Sequence, residues 1–137
     1  MRKNKAAKLI CLIPALFASI LDITVTIVHQ DPEYWQGNLS KANEGNPLGA
    51  VLMANSVYGL FLISGIWIAI IIVAGYYLPR LVSRIFILFV VIAHSYGAST
   101  WISSRYGFWW AMLVIFTNAL IYVLVEERAK ARSSEFS

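Results

Sequence analysis

Charge is scarce in this chain: of 137 residues only 13% are Asp, Glu, Lys or Arg, against 59% hydrophobic. Soluble domains carry about a quarter charged residues, so an ordinary water-soluble domain is excluded. The high apolar content also excludes disorder, and the length allows one compact domain. The single cysteine, Cys11, excludes an internal disulfide and a Cys-x-x-Cys redox motif. No His-Glu-x-x-His, Gly-x-Ser-x-Gly or P-loop pattern occurs, so zinc-peptidase, serine-hydrolase and nucleotide chemistry find no motif support.

What is present is a set of long uncharged runs. Ionisable groups in hydrocarbon cost on the order of 2.5 to 3.5 kcal/mol even on a lenient insertion scale, so their positions mark the limits of membrane spans. Leu9 to Val28 is broken only by Asp22, and nothing charged lies between Glu44 and Arg80. Two further runs follow, Ile85 to Ser104 and Tyr106 to Val125. Each is near or above the roughly 20 residues that cross a hydrocarbon core, and none shows the alternation of barrel strands. The expectation is an all-α fold, a four-helix transmembrane bundle in a single integral membrane domain spanning 1–137, with helices at about 8–29, 47–78, 82–104 and 107–126.

Lys and Arg cluster before the first run, at Arg80 and Arg84, and after the last run at Arg128, Lys130 and Arg132. The 30–46 segment holds Asp31, Glu33 and Glu44 against Lys41 alone. The positive-inside rule therefore puts both termini in the cytoplasm and the 30–46 loop outside, in the plasma membrane or, in a prokaryote, the inner membrane. Basic flanks account for the net charge of +4 without any nucleic-acid partner. The basic start and the apolar run to Ala18-Ser19 also have the look of a signal peptide, but the run continues to Val28, which favours a retained helix.

Asn46-Pro47 supplies a cap followed by proline at the first helical position, and Pro79 closes the second helix. Ser103 to Gly107 form a tight turn that makes the third and fourth helices antiparallel neighbours. Trp35, Trp101, Trp109 and Trp110 fall at the outer boundary, and Tyr76 and Tyr77 at the inner one, as an aromatic belt does.

The informative residues are polar ones inside apolar runs. Asp22, Thr26 and His29 stand at i, i+4 and i+7 on one face of the first helix, and Ala18, Ala15 and Cys11 continue that face. On the third helix, His94 stands near the small pair Ala93 and Gly97, which permits a neighbour to approach closely. The second helix offers Asn55 and the fourth Asn118. At about 1.5 Å per residue, Asp22, Asn55, His94 and Asn118 all sit roughly 10 to 17 Å below the outer surface, with His29, Glu44 and Asn46 at the mouth above them.

Such a set can ligate a metal, relay a proton or hold a polar headgroup. His29, His94, Asp22 and Glu44 have the ligand types for a divalent metal, at dispersed spacing. Asn55 and Asn118 also fit simple cross-links between helices, and Asn46 fits a cap.

Leu21-Asp22-x-x-x-Thr26, followed by Glu44-Gly45-Asn46-Pro47, resembles the D-x-x-x-T … E-x-N-P pattern of small uncharacterised prokaryotic membrane proteins. The resemblance covers residues 21 to 49 and implies that Asp22, Thr26, Glu44 and Asn46 act together.

Three functions follow as expectations. The first is a small membrane component, a subunit or ligand-binding bundle, whose partners are the lipid bilayer and other membrane subunits or a second copy of itself. The second is an oligomeric ion or proton pathway, opposed by the apolar inner halves of helices two to four. The third is an intramembrane metal-dependent enzyme opening outward, with Asp22 or Glu44 as general base.

Overall fold

The structure is a computed structural model that describes residues 2–134. Among the described residues it is entirely helical, with α1 at Arg2–His29, α2 at Pro32–Trp35, α3 at Pro47–Met53, α4 at Gly59–Tyr77, α5 at Arg80–Tyr106 and α6 at Phe108–Ser134. Four segments are long and apolar enough to cross a membrane: Lys8–His29, Gly59–Tyr77, Arg80–Tyr106 and Phe108–Ala131. A ring of large apolar side chains, among them Phe17, Phe61, Val73, Phe89 and Phe116, stands exposed around these helices. So continuous an apolar surface has lipid as its solvent, and the chain is a small integral membrane protein.

The connections follow their local chemistry. Pro79 stops the chain from continuing α4 and starts α5. Gly107 alone joins α5 to α6, at φ 95°, a left-handed conformation that favours glycine. That one-residue link forces the two helices into an antiparallel pair. At the same end of the bundle, Asp31 accepts from the Glu33 N–H at 2.9 Å and starts α2, and a 3-10 turn follows at Leu39–Lys41. Gln30, buried at the end of α1, closes this loop with two hydrogen bonds to the Asn43 backbone, one donated by Nε2 and one accepted by Oε1.

The single helix expected over 47–78 is corrected to two, α3 and α4, separated by a break at residues 54–58. Short polar side chains explain it. Asn55 Nδ2 donates to the Val51 carbonyl at 2.7 Å, and Ser56 Oγ accepts from the Tyr58 N–H at 3.1 Å, so both compete with helical bonding. Tyr34, fully buried, then donates its hydroxyl to the carbonyls of Ser56 and Val57 at 3.0 and 3.2 Å, satisfying groups that the break releases. The other spans run longer than expected, α5 beginning at Arg80 and α6 reaching Ser134.

The helices α1 and α5 form the central pair, with α4 and α6 packed along it. Ala15, Ala18 and Ser19 of α1 and Ala98 of α5 are fully or almost fully buried, so small side chains set the close spacing. Toward the chain termini the core is a dry layer of Leu12, Ala15, Ile71, Ile87, Val90 and Val91. Toward the loops a second cluster, Tyr34, Met53 and Leu60, seats the broken helix.

Candidate functional site

Between those two layers, α1, α5 and α4 each present one polar side chain to the others. Asp22 lies on α1, His94 on α5 and Trp67 on α4. His94 Nδ1 stands 2.7 Å from Asp22 Oδ2, and Trp67 Nε1 stands 2.6 Å from His94 Nε2. The Asp22 and His94 side chains are only 19% and 12% exposed, so both are largely shielded by the surrounding helices.

The proton positions follow from donor chemistry. An indole N–H can only donate, so His94 Nε2 is an acceptor and carries no proton. The ring proton is therefore on Nδ1, where it donates to the Asp22 carboxylate. His94 is a neutral imidazole with both nitrogens engaged, and it adds no positive charge to balance Asp22. Gly97, one helical turn beyond His94, makes room for this contact: a Cβ there would fall 2.7 Å from both Asp22 carboxylate oxygens. The small pair Ala93 and Gly97 was expected to admit a neighbouring helix, and the Gly97 member admits a carboxylate.

Glu44 lies in the loop that precedes α3. Its carboxylate accepts from the Asn46 N–H at 2.7 Å, and Asn46 in turn caps α3 by accepting from the Leu48 N–H at 3.0 Å. Burial pushes the Glu44 carboxyl above the usual carboxylate range, and the Asp22 charge pushes it further. The Asn46 and Gly45 N–H groups act in the opposite direction. Thr26 is buried one turn from Asp22 toward the loops. Glu44 and Asn46 are thus joined by a hydrogen bond, while no hydrogen bond joins Glu44 to Asp22 among the described residues.

Three residues stand apart from the Asp22–His94 pair. His29 donates from Nδ1 to the Val25 carbonyl at 2.8 Å, contacts the Tyr106 hydroxyl at 3.2 Å through Nε2 and stacks on Trp101. It borders an open cleft of about 400 Å³ with Asp31, Lys41 and Arg105 at the loop end of the bundle. Asn55 was expected at the depth of Asp22; because the helix breaks, it lies exposed in the turn instead. Asn118 is buried and donates to Ser95 Oγ at 2.8 Å. Ser95 and His94 face about 100° apart on α5, so Asn118 joins the α5–α6 seam rather than the Asp22 site. Among the described residues no three His, Cys, Asp or Glu side chains come together as metal ligands, so the expected grouping of His29, His94, Asp22 and Glu44 does not form.

Sequence reasoning missed Trp67. Its signal is its place in the chain: it lies in the middle of an apolar span, while the other tryptophans sit near span ends. An indole N–H at that depth needs an acceptor, and the few acceptors are the polar residues already singled out.

Fold and site together define a small helical membrane protein in which Asp22 of the first candidate span pairs with His94 of the third. In comparison with known proteins, the chain matches no family model, no curated protein and no solved structure.

Proposed function

We propose that this protein is a ligand- or partner-binding membrane component whose Asp22 site accepts a cationic or hydrogen-bond-donating group from the loop side of the bundle. The observation that carries this reading is the neutral His94 between Asp22 and Trp67. Its donor is spent on Asp22 and its acceptor on Trp67, which leaves the negative charge of Asp22 without a countercharge in a poorly hydrated interior. Glu44 adds a second carboxyl that responds to that charge. Such a site is rich in acceptors, and a positive or donating group stabilises it. By the distribution of Lys and Arg, the loop side is extracytoplasmic and both termini are cytoplasmic. The resemblance to the D-x-x-x-T … E-x-N-P pattern implies that Asp22, Thr26, Glu44 and Asn46 act together.

A conduction pathway has less support, because the layer of Leu12, Ile71, Ile87 and Val90 lies between the site and the opposite end. A metal-dependent enzyme with Asp22 or Glu44 as general base has less support as well, because among the described residues no three His, Cys, Asp or Glu side chains come together as ligands. The reading is tested by purifying wild type and Asp22→Asn side by side from native membranes in mild detergent, with composition read by native mass spectrometry. A stoichiometric companion present in wild type and lost from Asp22→Asn is the expected result. Identical composition in the two preparations refutes the reading.

A further inference from the structure

At the opposite end of the bundle, a cavity of about 330 Å³ opens between α1, α5 and α6. Four cations line it, Lys8, Arg80, Arg84 and Lys130, against one acid, Glu126. Glu126 is already shared between Arg84 and Lys130, Lys130 also donates to Glu127 at 2.8 Å, and Lys8 donates to the Tyr76 carbonyl at 2.9 Å. Arg80 has neither a hydrogen bond nor an ion pair among the described residues, although it lines a concave, partly enclosed space. It is also the first residue of α5, whose unpaired N–H groups add positive potential at that point. The deeper wall is apolar, formed by Pro14, Ile87 and Val125.

We propose that this cavity binds a phosphate-bearing anion, with Arg80 as its principal ligand and Lys130 and Lys8 completing the positive rim. Excess positive charge concentrated in one cleft attracts an anion, and a guanidinium free of other partners can engage phosphate oxygens in pairs. The apolar wall beside the cations suits a phospholipid, whose glycerol and first methylenes lie next to its phosphate. Inorganic phosphate has the same charged chemistry without that apolar part. The site is separate from Asp22 and takes the opposite charge.

Thermal unfolding of the full chain in a neutral detergent, with added phosphatidylglycerol, phosphatidylcholine or inorganic phosphate, tests this and separates the two sources. A saturable rise in melting temperature with phosphatidylglycerol, much larger than with phosphatidylcholine, is expected. Loss of one cation near a membrane surface weakens anionic-lipid binding about fivefold, so Arg80→Gln and Lys130→Gln each shift the titration by about that factor. Both side chains are exposed, so truncation leaves no buried gap, and the melting temperature without ligand serves as the folding control. An equal rise with inorganic phosphate identifies a soluble phosphate as the source and keeps the site. Equal responses to the two lipids with none to phosphate, or titrations unchanged in both variants, overturn the proposal.

Discussion

The Gly97 backbone and the Asp22 carboxylate occupy adjoining space so closely that a methyl group on residue 97 would lie 2.7 Å from both carboxylate oxygens. The contact joins α1 to α5 at the level where α5 also offers His94 to the same carboxylate. The position of the Asp22 carboxyl group is therefore set by a missing side chain as much as by a hydrogen-bond partner.

Gly97→Ala forces Asp22 away from His94 or α1 away from α5. Overpacking of a close-fitted interior costs typically 1–3 kcal/mol, and a loss of that size is expected in thermal or denaturant unfolding in detergent. In an Asp22→Ala background the obstructing carboxylate is gone, so Gly97→Ala should cost much less. Equal costs in the two backgrounds would show that the contact does not govern the packing.

Glu44 gives the protein a defined pH response. Its carboxyl is raised above its ordinary value of 4.5, chiefly by burial and next by Asp22, so the folded state favours the protonated form. Its stabilising contribution is full below that ordinary value and is lost as pH rises through the raised folded value. Wild type should therefore lose stability relative to Glu44→Gln on going from about pH 4 to pH 7, since glutamine still accepts the Asn46 N–H and does not ionise. Unfolding midpoints across that range check this, and parallel curves for the two proteins would contradict it.

Tyr34 holds the break between α3 and α4 through its hydroxyl. In Tyr34→Phe the carbonyls of Ser56 and Val57 lose a buried donor, at an expected cost of about 1–3 kcal/mol. The Gly59 amide, which donates to the Ser56 carbonyl at 2.9 Å across the break, should exchange faster with solvent. Hydrogen exchange at Gly59 is the direct readout, and unchanged protection would assign the break to Asn55 and Ser56 alone.

The spans were legible because charge marks their limits: Asp22 is the one Asp, Glu, Lys or Arg between Leu9 and Val28, and Arg80 stands where α5 begins. Asp22 and His94 were legible as partners because each is a polar residue at similar depth on neighbouring helices. The break at residues 54–58 was not, because Asn55 and Ser56 stand in a long uncharged run, and the contact from Tyr34 that supports the break comes from a residue distant in sequence. Asn55 was misplaced for the same reason. Asn118 pairs with Ser95 rather than with Asp22, and that seam depends on the rotation of α6, which apolar residues all around the helix leave undetermined. Trp67 escaped because an indole in an apolar run reads first as hydrophobic bulk, and its N–H matters only once His94 is opposite it.

The account rests on a neutral His94 that leaves the Asp22 charge uncompensated, and nitrogen-15 NMR of labelled protein in lipid bilayers at neutral pH measures that state directly. The expected spectrum has a protonated Nδ1 and an unprotonated Nε2, the latter changing its shift in Trp67→Phe as the indole donor is lost. A doubly protonated ring, or a proton on Nε2 with Nδ1 bare, would contradict the account, because Trp67 could not then donate to His94 and Asp22 would face either a countercharge or no donor.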